Sequence, residues 1–175
     1  MIVANKVILR EKNLADAWDD YTWETDPELA QLDAVPLATT TFSQHLSDYA
    51  NQLRYPLPTS RRLAIDTLDG KHIGNCTFYN ISETRGEAEL GIMIGNHDYW
   101  NKGYGTEAVI TLVNHIFSQT NIRRLYLKTL ESNNRAQKCF QKCGFTPYGH
   151  LVKDGFSFVL MEIYYNQWQE QQTKA

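Results

Sequence analysis

The apolar residues of this chain change period between Glu87 and Gln119, and the change falls across a loop carrying two glycines. Ala88, Leu90, Ile92 and Ile94 alternate with Glu87, Glu89, Gly91 and Met93, the period of two that predicts a strand. Val109, Leu112, Val113, Ile116 and Phe117 then recur at helical spacing, predicting an amphipathic helix over about Gly105–Gln119. A strand that passes into such a helix through Trp100-Asn101-Lys102-Gly103-Tyr104-Gly105-Thr106-Glu107-Ala108 must belong to a fold that layers helices on a sheet.

The rest of the chain fills in that architecture. Val3–Arg10 reads as a strand, Leu14–Trp23 and Thr41–Leu53 as helices, and Asp26–Leu37 as a Pro-bearing connection. After Pro56 and Pro58, Leu63–Leu68 and His72–Ile81 flank Asp69-Gly70, a strong hairpin signal. A turn at Ser82–Gly86 leads into the strand Glu87–Ile94. Arg124–Leu130 returns to alternation, and Asn133–Cys143 is a short helix that Gly144 suits as a left-handed cap. Phe145–Val152 and Phe156–Tyr164 surround Asp154-Gly155 as a last pair of strands. The expected class is α+β: a mixed, mostly antiparallel sheet of about seven strands flanked by about four helices. A length of 175 residues suits one domain spanning 1–175, with its core over about 7–165 and a polar tail at 167–175.

Composition narrows the partners. At 42% hydrophobic and 21% charged residues the chain is an ordinary globular one rather than a disordered one. No apolar run approaches the ~18 residues of a membrane span, and Met1–Arg10 lacks a signal peptide's apolar stretch, so no membrane partner is expected. Three cysteines make no paired disulfide framework and no cluster has zinc-finger spacing; a reduced, cytoplasmic setting without a metal follows as the expectation. The net charge of −3 is unevenly spread. Residues 1–53 hold three basic side chains (Lys6, Arg10, Lys12) against nine acids, and residues 54–175 hold fourteen against eleven. That split is either a set of solvated helix faces or a protein with a basic end for a polyanion and an acidic end for a cation. No Lys/Arg stripe is present to displace counterions, which argues against nucleic acid.

Gly103 and Gly105 let the main chain turn tightly and approach a ligand. The first amides of the following helix have no internal partner and carry the positive end of its dipole. With Lys102 they form a candidate phosphate site. A dinucleotide site is one alternative, because Gly103-x-Gly105-x-x-Ala108 fits its looser fingerprint. The context fails it: Gly95–Lys102 separates the strand from the first glycine, and Leu125–Leu130 offers no ribose-binding acid. A Walker loop fails for want of Gly-Lys-Ser/Thr.

Trp100-x-x-Gly103-x-Gly105 resembles the Gln/Arg-x-x-Gly-x-Gly/Ala cofactor motif of the GNAT superfamily of acetyl-CoA-dependent N-acetyltransferases. Trp100–Ala108 is similar to the branch named for ribosomal-protein N-acetyltransferases, departing from it at Asn101. Ala88–Gly95 resembles that branch too, as does Asn133-Asn134-Arg135-Ala136 followed by Cys143-Gly144-Phe145. The resemblance implies the family's fold and acetyl-CoA as co-substrate. It implies that main-chain groups of Ile92, Met93 and Ile94 pair with pantetheine, one amide polarising the thioester carbonyl. It further implies that the amides of Lys102, Gly103, Tyr104, Gly105 and Thr106 hold the pyrophosphate and that Asn133 braces the pantetheine or sulfur region. Arg135 and Lys138 either screen the nucleotide phosphates or are ordinary exposed helix charges.

An attacking amine must lose a proton. Counting back from Trp100, Glu89 falls at the base position of the histone-acetylating branch; otherwise it is an exposed acid on a half-buried strand, with His97 the weaker alternative. Many relatives protonate the departing thiolate with a Tyr, but Phe140 stands there, leaving water or Tyr104, Tyr126 or Tyr148. Cys139 beside it suits a small buried thiol, since the family transfers acetyl directly. The acceptor side should come from the first two helices, with Trp18, Tyr21 and Trp23 as lining or core, and from strands near Phe156. The expected activity is acetyl transfer to a primary amine, either a small cationic amine or a peptide N-terminus, by direct attack in a ternary complex. A non-catalytic acyl-CoA-binding domain is the alternative, and a homodimer is possible.

Overall fold

The computed structural model describes residues 1–175 and contains one eight-stranded sheet. In chain order its elements are β1 (Ile2–Val3), β2 (Val7–Glu11), α1 (Ala17–Glu24), α2 (Pro27–Leu32), α3 (Phe42–Arg54), β3 (Arg61–Thr67), β4 (His72–Ser82) and β5 (Glu87–Ile94). There follow α4 (Tyr104–Gln119), β6 (Arg124–Leu130), α5 (Asn134–Lys142), β7 (Thr146–Lys153), β8 (Phe156–Tyr164) and α6 (Tyr165–Lys174). The strands lie in the order β1-β2-β3-β4-β5-β6-β8-β7. The mixed, mostly antiparallel α+β expectation holds, with one further short strand and two further helices.

Every neighbouring pair is antiparallel except β5 and β6, which run parallel through Glu87 with Arg124, Ala88 with Leu125 and Glu89 with Tyr126. Beyond Glu89 the two strands share no pairing, although β5 continues to Ile94 and β6 to Leu130. The sheet therefore opens into a V at its centre, and this gap positions the site.

The predicted amphipathic helix supplies one layer of the core. Val109, Leu112 and Ile116 of α4 are fully buried against Val7, Leu9, Ile73, Leu125 and Met161 of the sheet. Each such side chain contributes ~1.5–3 kcal/mol by leaving water. Asp154 and Gly155, at φ 52° and 78°, form the tight turn between β7 and β8 that their Asp-Gly sequence predicts.

Two segments differ from expectation. The Asp26–Leu37 connection contains α2, because the Asp26 side chain accepts from the amides of Glu28 and Leu29 and Pro27 occupies the first helical turn. The polar tail 167–175 is not a tail through most of its length but part of α6. Tyr165 and Trp168, three residues apart, pack on Phe117 of α4, and the Trp168 indole donates to Asn114 Oδ1 at 2.6 Å. No helix is long and apolar enough to cross a membrane.

Candidate active site

The V between β5 and β6 opens into a cleft of about 840 Å³. Gly91–Ile94 of β5 form one wall and Lys128–Leu130 of β6 the other. One mouth is closed by the start of α4 and by α5. The other lies under α1 and α2, over a floor made by Asn75, Thr77 and Tyr79 of β4 and Arg62 of β3. Cross-strand register makes that floor: Arg62 pairs with Thr77 and Thr77 with Gly91, while Asn75 pairs with Met93.

At the first mouth Gly103 precedes α4 with φ 84°, a left-handed conformation that strains any residue with a Cβ. No side chain caps this helix, so its first amides, from Tyr104 to Thr106, are left for a ligand. A Cβ placed on Gly105 would meet only Ile94 Cγ1, at 3.6 Å, leaving the space beyond it open. The Trp100 indole donates to the Ile94 carbonyl at 2.6 Å, fastening the loop to the end of β5. The Arg135 guanidinium lies 4.0 Å from the centre of the same ring, a cation–π contact that aims a positive charge into the cleft. Lys138 also lines the cleft, and Asn133 lines it while capping α5 by accepting from the Ala136 amide. The uncapped amides and these cations fit a diphosphate.

Several candidates stand elsewhere than the sequence suggests. Lys102 does not line the cleft; its ammonium donates to the Asp98 carbonyl at 2.7 Å. Lys6, absent from the sequence-based set, reaches the Lys102 carbonyl at 3.1 Å and brings a charge beside Gly103. The Ile94 carbonyl is already taken by Trp100, and β4 pairs along Ile92 and Met93, so only alternate main-chain groups of this stretch face the gap. Trp18 is 58% exposed against Phe42, Tyr21 donates to the Thr40 carbonyl, and Trp23 is buried beside His72; none of the three lines the cleft. Phe158 rather than Phe156 does. His97 is held by Asp26 and stacked on Trp100, away from the chamber.

Glu89 shares a cross-strand row with Tyr79 and Tyr126. Its carboxylate accepts from Lys128 Nζ at 2.7 Å and from Asn80 Nδ2 at 3.0 Å. Glu89 is itself buried, and Lys128 and Tyr79 stand between it and the cleft they line. Burial, reinforced by the Glu89 charge, raises the Tyr79 hydroxyl well above its ordinary range. Asp33, exposed at the α2 end, faces the chamber. Glu24 joins it there, 3.6 Å from Arg62.

Beneath this chamber lies a charged cluster with no obvious sequence signal. Asp20, whose side chain is fully buried, receives Lys12 at 2.9 Å, Asn75 Nδ2 at 2.8 Å and Arg62 at 3.4 Å. Burial alone would raise its carboxyl, but His72, Arg62, Lys12 and Asn75 together hold it well below the usual range. The cluster thereby fixes Asn75 and Arg62 in the cleft floor.

Phe140 lines the cleft and packs edge-on against Phe145, with no proton to give. Tyr104 also lines it, whereas Tyr126 and Tyr148 do not. The Cys139 thiol accepts from the Thr106 hydroxyl at 3.4 Å, and the Cys143 thiol donates to the Thr106 carbonyl at 3.6 Å.

A central splayed parallel pair, with an anion cradle at one mouth and a carboxylate-bearing chamber at the other, defines a coenzyme A-dependent acyltransferase. The acetyltransferase (GNAT) domain family matches residues 6–146. The chain belongs to that family and is an acetyl-CoA-dependent N-acetyltransferase. Similar proteins include the uncharacterized N-acetyltransferase p20 of Bacillus licheniformis, 26% identical over 87% of this chain and 85% of the relative. The spermidine N(1)-acetyltransferase of Vibrio cholerae serotype O1 is 23% identical over 83% of this chain and 73% of the relative. The crystal structure of spermidine N-acetyltransferase from Vibrio cholerae in complex with CoA and spermine superposes with a TM-score of 0.84, at 19% identity, over 93% of this chain and 98% of that one.

Proposed function

We propose that the enzyme transfers acetyl from acetyl-CoA to a primary amine of a small polycation, by direct attack in a ternary complex. The observation that carries this is the division of one cleft into two charge environments: free amides with Arg135 and Lys138 at one mouth, Glu24 and Asp33 at the other. The polyamine named for the Vibrio cholerae relative and the spermine in the structural neighbour are polycations, which supports this reading.

The amides of Tyr104, Gly105 and Thr106 hold the pyrophosphate. Main-chain groups of Ile92 and Met93 pair with the pantetheine arm in the V, and one amide stabilises the oxyanion that forms as the amine attacks. Glu24 and Asp33 draw a cationic acceptor inward. Glu89, held behind Lys128 and Tyr79, is the sink for the proton that the attacking nitrogen loses, which reaches it by way of one of these two side chains. With Phe140 where relatives place an acid, the thiolate leaves as such and is protonated by water.

The test is release of free thiol from acetyl-CoA across a panel of spermidine, spermine, simple diamines, an aminoglycoside and a peptide with a free N-terminus. Polyamines should give the highest kcat/KM. Thiol release with the peptide alone would replace the small-amine acceptor. Binding of acetyl-CoA with no release for any amine would make the chain an acyl-CoA-binding domain instead.

A further inference from the structure

Lys128 stands two residues beyond Tyr126, the last β6 residue paired with β5, and so at the apex of the V. Its side chain lines the cleft and is 34% exposed there. Its ammonium lies 2.7 Å from Glu89 Oε1, the carboxylate to which the proposed function assigns the proton of an attacking amine. Lys138 and Lys142 also line the cleft, but on α5 near the cradle, and neither has a carboxylate within ion-pair distance. Lys12 is buried in its pair with Asp20, and Lys102 is tied to Asp98. Lys128 alone thus combines three features: a primary amine, a place at the apex, and a proton acceptor in hydrogen-bond contact.

We propose that Lys128 is a self-acetylation site, taking the acetyl group from bound acetyl-CoA when no free amine fills the chamber. The proposal rests on the thioester lying in the β5–β6 gap. The Lys128 ammonium gives one proton to Glu89 as its nitrogen bonds to the thioester carbonyl carbon. The carbon–sulfur bond then breaks and its electron pair leaves on sulfur. Of the three ammonium protons, one stays on the amide, one passes through Glu89 to water, and one ends on coenzyme A as thiol. A side chain held beside the carbonyl reacts as an intramolecular nucleophile, at an effective concentration that no surface lysine matches. The product is neutral and longer than lysine, so Glu89 loses its ion-pair partner and the chamber narrows.

The experiment is incubation of the full chain with acetyl-CoA at neutral pH without added amine, followed by intact mass measurement and peptide mapping. The expected result is one acetyl group per chain, on Lys128, while exposed Lys71 and Lys153 stay largely unmodified. Lys128→Arg should remove the mass increase, Glu89→Gln should slow it, and added spermidine should compete with it. Gly105→Trp, which obstructs the cradle, should also remove it; chemical acetylation of surface lysines would persist in that variant. The proposal is overturned if Lys128 stays unmodified in a preparation that acetylates added amines, or if label spreads over surface lysines and survives Gly105→Trp. Absence of both acetyl-CoA binding and thiol release would instead overturn the acetyl-transfer reading, and the self-acetylation site with it.

Discussion

Replacing Asp20 with alanine would strand a buried cation. Lys12, whose side chain is 4% exposed, would keep Asn75 Oδ1 and His72 as neighbours but lose its carboxylate at 2.9 Å, with Asp16 no closer than 3.8 Å. Asn75 Nδ2 would lose its acceptor, and Arg62 the nearer of its two carboxylates. Removing one member of a buried pair costs about 3–5 kcal/mol, because the survivor remains desolvated. For a chain of this size each kcal/mol lowers Tm by roughly 2–4 °C, so Asp20→Ala should lower it by about 6–20 °C. Urea denaturation of wild type, Asp20→Ala, Lys12→Met and the double variant separates this from general disruption. The double variant should cost less than the sum of the two single ones, by about 0.5–3 kcal/mol, since it removes both charges together. Freed from Asp20, Asn75 and Arg62 should also loosen in the cleft floor and raise KM for the amine. Strict additivity, or a loss below about 1 kcal/mol in Asp20→Ala, would refute the reasoning.

Acid should act on the same cluster. Asp16 and Asp20 are both depressed in the folded chain, so the unfolded chain binds more protons as pH falls. Their stabilisation is complete above the ordinary carboxylate pKa of about 4 and is lost as pH drops below it; a flat profile of urea midpoints from neutral to acid pH would count against this. Gly105→Trp should fold but lose the thermal shift with acetyl-CoA, which at a hundredfold excess over Kd corresponds to about 2.7 kcal/mol in the wild type; an unchanged shift would relocate the diphosphate. Glu89→Gln should lower kcat by about 10²–10⁴ at neutral pH. That deficit should narrow in alkali, where free amine is abundant, and an equal deficit at every pH would remove Glu89 as the base.

What the sequence discloses is whatever depends on neighbours along the chain. The period change at Ile94, the Asp-Gly turn at Asp154 and the glycine loop before α4 are local, and each is visible as residues. The signals for α2 are also present, an Asp26 cap and Pro27, but a six-residue helix that opens on a proline reads as a connection. In α6 the pair Tyr165 and Trp168 is the trace of a half-buried face, diluted by glutamines. The acceptor chamber is different in kind. Arg62, Asn75, Glu24, Asp33 and Lys128 come from five elements and meet through sheet register and helix placement, which nothing local encodes. Alternation of Asn75, Thr77 and Tyr79 with buried Cys76 and Phe78 was the nearest signal, since it marks a polar face on a central strand. Lys102 failed for the opposite reason: its type suited phosphate, but a free carbonyl one turn back captured it.

The three-pair seam between β5 and β6 has a consequence for biogenesis. During synthesis β1 to β5 can close as an antiparallel sheet from their own hairpins and crossover, while β6 has yet to leave the ribosome. Throughout that interval β5 offers a long open edge with apolar side chains, the kind of edge that recruits strands from other chains. The short β5–β6 seam thus waits on a strand made more than thirty residues later in the chain. Conditions that slow the arrival of β6, or variants that weaken its short grip on Ala88, should favour aggregation of nascent chains well before they impair the mature fold.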